Sequence, residues 1–279
     1  IAIGLRASGV SAVLVEENSH IFNLEAGGAA ALLGVTLRAV PGVDGRLEPD
    51  RILGAIRPED PHIAPLVAVA IENTHNRAGG APWPKRALDA VYAAASEAEL
   101  QVHLDGARLW NAAVATRTTP AELAWGTSTV GVCFSTGLGP PVGSALVGSA
   151  EHVRRARFLR KRLGGGMRQS GIIAAGALYA LRNHRDRIAD DHRRAAELAA
   201  TLSNFKGVTV LPVTTNIVIF DLAGGPRRQS AVIHDLAREG LLAHAVGDTR
   251  IRLVTHLNVD DDDIDRAEAA LERVLGAGS

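Results

Sequence analysis

Residues Leu66 to Ile71 (LVAVAI) form an uninterrupted apolar run of strand length. Such a run is buried only when both faces of its strand are covered, whereas a sheet with one wet face shows alternation. The run empties into Glu72 to Asn76 (ENTHN). The pattern then repeats. Gln101 to Leu104 empties into Asp105-Gly106-Ala107-Arg108, and Thr129 to Phe134 empties into Ser135-Thr136 and a turn, Gly137 to Gly143, rich in glycine and proline. Helical sequence separates the runs: one helix starts at Pro82 and Pro84 and continues through Ser96, and another starts at Leu109. This rhythm predicts a mostly parallel sheet with helices on both faces and polar exits on one edge, where α/β proteins bind ligands.

Upstream, Val13 to Val15 is a short β-branched run, followed by Asn18-Ser19 as N-cap chemistry for a helix carrying His20, Phe22 and Leu24. Gly27-Gly28 predicts tight packing before Ala29 to Leu33. A second strand, Thr36 to Val40, precedes a turn at Gly42 to Gly45. Pro49-Asp50 opens a helix expected to place Ile52, Leu53 and Ile56 on one side. After a strand at Ser144 to Val147 the chain turns to arginine-rich helices from Glu151, with three consecutive glycines in RRARFLRKRLGGGMRQSG, and helices run from Gly171 to about Asn204. Strands Val208 to Leu211, Ile217 to Phe220 and Ile251 to Val254 then alternate with helices Ser230 to Glu239 and Asp261 to Leu275. The expected division is a large domain over residues 1–182 and a small α+β domain over 183–279.

At 279 residues, two lobes are the natural prior. Lys+Arg and Asp+Glu are equal at 30 each, so no global field recruits nucleic acid or an anionic membrane. The longest helix-like apolar segment, Gly171 to Leu181, is too short to span a bilayer. The one cysteine, Cys133, makes no internal disulfide, which suits a reducing, cytoplasmic setting. Three of the 30 basic residues are lysines: Lys85, Lys161 and Lys206. The opening segment IAIGLRASG reads as the tail of a helix already under way, so part of the large domain is expected upstream.

Asp105 and Thr136 close consecutive strands and are expected on one sheet edge. An aspartate there can cap the next helix; alternatively it faces a bound heterocycle and holds a ring nitrogen protonated. His103 and Asp105 share a strand face at i, i+2, and with His20 and His75 they raise a metal-site alternative, for which the ligand cluster is too thin.

Six segments carry a family resemblance: HIFNLEAGGAAALLG, IENTHNRAGG, HLDGARLWNAAVA, STGLGPPVGSALVG, RKRLGGGMRQSGIIAAGALYAL and IRLVTHL. In order and spacing they resemble the signature segments of the low-specificity L-threonine aldolases. The resemblance implies the aspartate-aminotransferase-like, fold type I architecture and pyridoxal 5′-phosphate as cofactor. It further implies cleavage of L-threonine, L-allo-threonine or a related β-hydroxy-α-amino acid to glycine and an aldehyde. His20 would stack on the cofactor ring, His75 would sit near the substrate hydroxyl, and Asp105 would pair with the pyridine nitrogen. Arg108 and Arg252 would grip the substrate carboxylate. Lys161 and Arg168 would approach the cofactor phosphate of a neighbouring subunit, which implies a homodimer or homotetramer.

One departure lies at the centre. Where the family reads Ser-Lys-Gly-Leu-Gly, this chain reads Ser135-Thr136-Gly137-Leu138-Gly139. Threonine has no nitrogen with which to form the family's Schiff base or to carry protons as an amine. A second departure is that the family's Gly-Thr-Gln phosphate turn and an amino-terminal serine have no counterpart in this sequence. The expected consequence is severely reduced turnover; the alternatives are a non-catalytic, amino-acid-binding or scaffold descendant, and another lyase or racemase of the same fold.

Overall fold

The structure is a computed structural model that describes residues 11–276. The opening IAIGLRASG lies outside the described residues. Contacts divide the chain into two units: residues up to 78 with 82–184, and residues 79–81 with 185 onward.

In the first unit the elements run β1 (Ser11–Glu16), α1 (His20–Asn23), α2 (Gly28–Leu33), β2 (Val35–Val40), α3 (Pro49–Leu53), β3 (Leu66–Glu72), α4 (Lys85–Glu97), β4 (Gln101–Gly106) and α5 (Leu109–Thr116). They continue as α6 (Pro120–Leu123), β5 (Thr129–Cys133), β6 (Ser144–Gly148), α7 (Ala150–Arg162) and α8 (Gly171–Asn183). The six strands form one sheet in the order β2-β1-β3-β4-β5-β6. All neighbours are parallel except β5 and β6. A glycine- and proline-rich turn joins that last pair, and a turn of this length can only return the chain antiparallel.

Two apolar layers cover the sheet, as the unbroken run in β3 requires. Leu14, Val69, Ile71, Val102, Leu104, Val130 and Val132 pack into one core with Trp83 and Leu88. Val13, Val15, Ala68 and Ala70 pack into another, against Ile21, Ala29 and Leu33 from the α1–α2 segment. Strand alternation assigns these two sets to opposite faces. The second set is built of smaller side chains.

Three local expectations change. A Cβ at Gly27 or Gly28 would meet nothing within 4 Å, so these glycines permit no close packing; Gly27, with φ +68°, instead supplies the left-handed N-cap of α2. Helix α3 stops at Leu53 and buries only Ile52, while Leu53 and Ile56 stay exposed. One helical turn cannot present three side chains to one surface. The third change is α6, absent from the expected elements although its Thr119-x-x-Glu122 capping box and Pro120 at the first position are sequence signals for a helix start.

The second unit contains α9 (Ile188–Leu202), β7 (Val208–Val210), β8 (Ile217–Leu222), α10 (Gly225–Arg238), β9 (His244–Val246), β10 (Arg250–Val254) and α11 (Asp261–Leu275). Its antiparallel sheet has the order β7-β8-β10-β9. Phe220, Leu202, Leu236, Ile251 and Leu271 fill the core between that sheet and its helices. The start of α11 is set by Asp260, whose side chain accepts the Asp263 N–H while Asp263 accepts the Asp260 N–H. Strand β9 was not expected from the sequence. Three residues, His-Ala-Val, give no period to read.

Candidate active site

Strands β1, β3, β4 and β5 run parallel, so their exits meet along one edge. Those exits bring together Glu16, Glu72, Asp105 and the segment after Cys133. In register, Glu72 pairs with Asp105 and Asp105 with Gly131. Residues opposite one another in a ladder share a face, so Glu72 and Asp105 stand side by side on the face that carries Ala68 and Ala70.

Two carboxylates lie buried at this edge, Glu16 at 3% and Glu72 at 7% exposure. Buried carboxylates persist only when hydrogen bonded or paired. Glu72 accepts the backbone N–H of His20 at 2.7 Å and that of Asn76 at 2.8 Å, one on each oxygen. Glu16 accepts the Asn18 backbone N–H at 2.7 Å and the Asn18 side-chain amide at 3.2 Å. Between them sits His75, 1% exposed, with Nε2 at 3.1 Å from Glu16 and 3.7 Å from Glu72. Its Nδ1 accepts the Ala78 N–H at 3.2 Å. That bond assigns the ring proton to Nε2, which donates to Glu16. Burial raises the Glu16 carboxyl, but the hydrogen bonds from His75 and Asn18 outweigh it and hold the group below its ordinary value.

The loop that carries His75 is pinned on both sides. Asn73 donates its backbone N–H to the Asp105 carbonyl at 2.9 Å. The indole of the buried Trp83 donates to the Glu72 carbonyl at 2.9 Å. Gly45 packs against the imidazole so closely that a Cβ there would lie 2.2 Å from the ring.

Asp105 accepts the Ala107 N–H at 3.2 Å. The helix α5 begins only at Leu109, with Arg108 as its N-cap and no side-chain cap bond, so Asp105 is not the cap of that helix. Burial, and then the Glu72 charge, raise its carboxyl above the ordinary value, opposed by His103, the Ala107 N–H and His20. On the same strand face, His103 bonds Thr129 Oγ1 through Nδ1 at 3.0 Å. Burial pushes this imidazole down against the pull of Asp105, so it is neutral near pH 7.

His20 is the first residue of α1, and its ring is partly open, bonded to Glu25 at 2.7 Å. Ser19 occupies the N-cap position but makes no cap bond. The sequence predicts Asn18-Ser19 as the cap of this helix. In the structure Asn18 serves Glu16, and the first N–H of the helix goes to Glu72, 52 residues away.

Thr136 lies three residues beyond β5, half-buried, with its hydroxyl donating to Cys133 Sγ at 3.2 Å. Cys133 Sγ is also 3.1 Å from Ser135 Oγ. Burial raises the thiol, and the Ser135 and Thr136 hydrogen bonds more than offset it, leaving it below its usual value. Gly137, at φ +93°, brings the turn within 3.1 Å of Asn111 Oδ1 as measured from an added Cβ. Lys85 is tied to Asp89 on α4. Lys161 is exposed in the last turn of α7, Arg168 is exposed in the segment that follows, and Lys206 belongs to the second unit.

Arg108 is half-buried at the start of α5. Arg252 lies on β10 of the second unit, paired in register with Ile219 and His244, and burial lowers its guanidinium below the ordinary value. Among the described residues no three or more His, Cys, Asp or Glu are grouped to hold a metal ion, and no helix is long and apolar enough to cross a membrane. Glu16 and Glu72 were not singled out from the sequence. The available signal was a glutamate closing an apolar strand run in both VLVE and LVAVAIE, a place where the chain should otherwise become solvated.

The sequence model of the beta-eliminating lyase family matches residues 1–224. The low-specificity L-threonine aldolase of Escherichia coli K12 is 36% identical over 252 residues, covering 90% of this chain and 73% of that protein. A threonine aldolase structure from Leishmania major superposes with a TM-score of 0.85 at 24% identity, over 98% of this chain and 80% of that one. Thermus thermophilus aspartate aminotransferase with maleate superposes at 0.71 and 16% identity, over 98% and 72%. At these identities the two structures establish the fold alone, which is the aspartate-aminotransferase-like, fold type I architecture. The families concerned depend on pyridoxal phosphate.

Proposed function

Because the chain belongs to the beta-eliminating lyase family, we propose that it is a threonine aldolase-type lyase. Its reaction splits L-threonine, L-allo-threonine or a related β-hydroxy-α-amino acid into glycine and an aldehyde. One observation carries the reading: Asp105, at the exit of β4, stands in register beside Glu72 on the sheet face of Ala68 and Ala70, where burial and the Glu72 charge push its carboxyl up. A carboxylate in that setting is stabilised by a protonated ring nitrogen.

The ring end of pyridoxal 5′-phosphate fits these residues. Asp105 would hold the pyridine nitrogen, and His20, on α1 over the same face, would stack on the ring. The aldehyde end fits less well, since Thr136 presents a hydroxyl bonded to Cys133 where the family places an amine. When bound, the cofactor supplies an electron sink for cleavage of the Cα–Cβ bond.

The remaining work falls to side chains of this chain. Arg108 would grip the substrate carboxylate, a task suited to a guanidinium fork, and the same role is proposed for Arg252 by resemblance alone. The resemblance sets His75 near the substrate hydroxyl; with Nε2 donating to Glu16 and Nδ1 accepting from Ala78, its part there would be to hold the loop in place, since neither ring nitrogen is free to take a proton. Lys161 and Arg168 would hold the cofactor phosphate of a second copy, in a homodimer or homotetramer working in the cytoplasm on amino acid metabolism. With Thr136 in place of an amine the cofactor would be held without a covalent tether, and low turnover is the expected result.

A second reading, a non-catalytic amino-acid-binding or scaffold protein, is favoured by the same absence of an amine at residue 136. Thr136→Lys separates the two. Incubated with pyridoxal 5′-phosphate, the variant should gain the visible absorption of a tethered cofactor and release aldehyde from L-threonine at a rate well above the parent. A variant that acquires the absorption and cleaves no β-hydroxy amino acid removes the aldolase reading.

A further inference from the structure

Among the groups at the sheet edge, Glu72 makes contacts that none of the assigned roles uses. Its two oxygens divide between backbone donors from different segments: the His20 N–H at the start of α1 and the Asn76 N–H in the loop after β3. The His20 donor has no local cap, since the Ser19 side chain makes no bond to the helix it precedes. Its strand position then sets the carboxylate next to Asp105. We infer that Glu72 is a positioning residue of this site, fixing the His20 imidazole and the loop bearing His75 over the sheet edge and setting the charge beside Asp105.

Four residues of helix are too short to hold their own orientation, and the described contacts of α1 are few: Ile21 packs on the sheet, Asn23 bonds back to Ser19 and Glu17, and the His20 ring meets an exposed Glu25. The bond from Glu72 to the first N–H of this helix is thus its charged anchor to the sheet, and a carboxylate acceptor is about twice as strong as a neutral one. The groups facing Glu72 are His75 at 3.7 Å, the Asp105 carboxylate on the neighbouring strand, and Glu16 across the imidazole. Those facing Asp105 are Glu72, His103 and His20. Glu72 is the one acid in that second set, so its charge pushes Asp105 to keep a proton in its vicinity, which is what a partner for a ring nitrogen must do.

The inference rests on the strand-end group being the cofactor ring site, and its test reads the protein without cofactor. In Glu72→Gln one oxygen still accepts, while the other acceptor is replaced by an NH2 that faces an N–H. One of the His20 and Asn76 amides should then exchange with solvent about tenfold faster, the factor carried by one lost hydrogen bond to a charged acceptor, with Val69 in β3 unchanged. The Asp105 titration midpoint, followed by carbon NMR, should fall because a like charge has gone. Glu72→Asp keeps the charge but is one methylene too short, so both amides should exchange faster while the Asp105 midpoint stays near its parent position. Unchanged exchange at both amides in both variants, or an unmoved Asp105 midpoint in Glu72→Gln, overturns the inference. Should Glu72→Gln fail to fold, the exchange pattern of Glu72→Asp decides. Equilibrium dialysis with pyridoxal 5′-phosphate tests the underlying reading separately: a parent chain that binds none counts against the cofactor site, whatever the amides show.

Discussion

Replacing Gly45 by alanine probes how firmly His75 is held. Val43 to Arg46 form a two-residue hairpin turn, closed by bonds of 2.9 and 3.0 Å between Val43 and Arg46, with positive φ at both Asp44 and Gly45. That is the Asp-Gly arrangement of a type I′ turn. Alanine at φ +74° costs about 1 kcal/mol from the left-handed conformation alone. The new methyl would also lie 2.2 to 2.6 Å from three atoms of the imidazole. The ring cannot retreat without loss, since Nε2 is committed to Glu16 and Nδ1 to Ala78. Breaking the bond to a buried carboxylate costs about 1.5–3 kcal/mol. The sum, about 2.5–4 kcal/mol, is a large share of a typical stability of about 5–15 kcal/mol. Gly34 is the control: its φ is +66°, and an added Cβ meets nothing within 4 Å, so Gly34→Ala should cost only the conformational part. Urea unfolding of the two variants, compared at equal m-value, reads the difference. If Gly45→Ala is no less stable than Gly34→Ala, His75 is free to move and the buried cluster is not the rigid support described above.

Asp105→Asn should raise the melting temperature of the cofactor-free protein at neutral pH while weakening its binding of pyridoxal 5′-phosphate. The sign follows from the raised folded-state carboxyl: ionised Asp105 costs stability above its folded pKa, and the gain from Asn vanishes once pH drops below the unfolded value of 3.8. An unchanged melting temperature at pH 7 would remove the claim that this carboxylate is held at a cost. Glu16 behaves oppositely. Its lowered carboxyl contributes stability that is present above 4.5 and is lost as pH falls through the folded value, so Glu16→Gln should flatten the acid limb of the stability curve; a limb as steep as in the parent would contradict this. Tyr92→Phe deletes a buried hydroxyl that donates to the Leu123 carbonyl at 2.7 Å and should cost about 1–2 kcal/mol in denaturant unfolding. No loss would mean that the carbonyl finds another donor.

Thr136 changes what the site can be asked to do more than any other residue. With a hydroxyl bonded to Cys133 in place of an amine, the ring contacts at Asp105 and His20 would have to retain the cofactor without covalent help. That makes the stiffness of the support beneath them a functional quantity. A short helix hung on a single buried carboxylate, and a loop held between Asp105 and Trp83, are ways of supplying it.

Periodicity and end chemistry carried the elements that the sequence determined by itself. LVAVAI could only be a strand covered on both faces, and β3 is one; α11 begins where Asp260 and Asp263 cap each other, a signal confined to four adjacent residues. The succession of strand exits likewise put Asp105 and Thr136 on one edge, because parallel strands joined by crossovers leave no other choice. Burial of Glu16 and Glu72, the tautomer of His75 and the true anchor of α1 were decided by tertiary structure alone. A glutamate at a strand end has the same local sequence whether water or another segment solvates it. Here two of the solvating groups, His20 and His75, arrive from 52 and 59 residues away from the carboxylates they serve, and no local pattern encodes a hydrogen bond across that span.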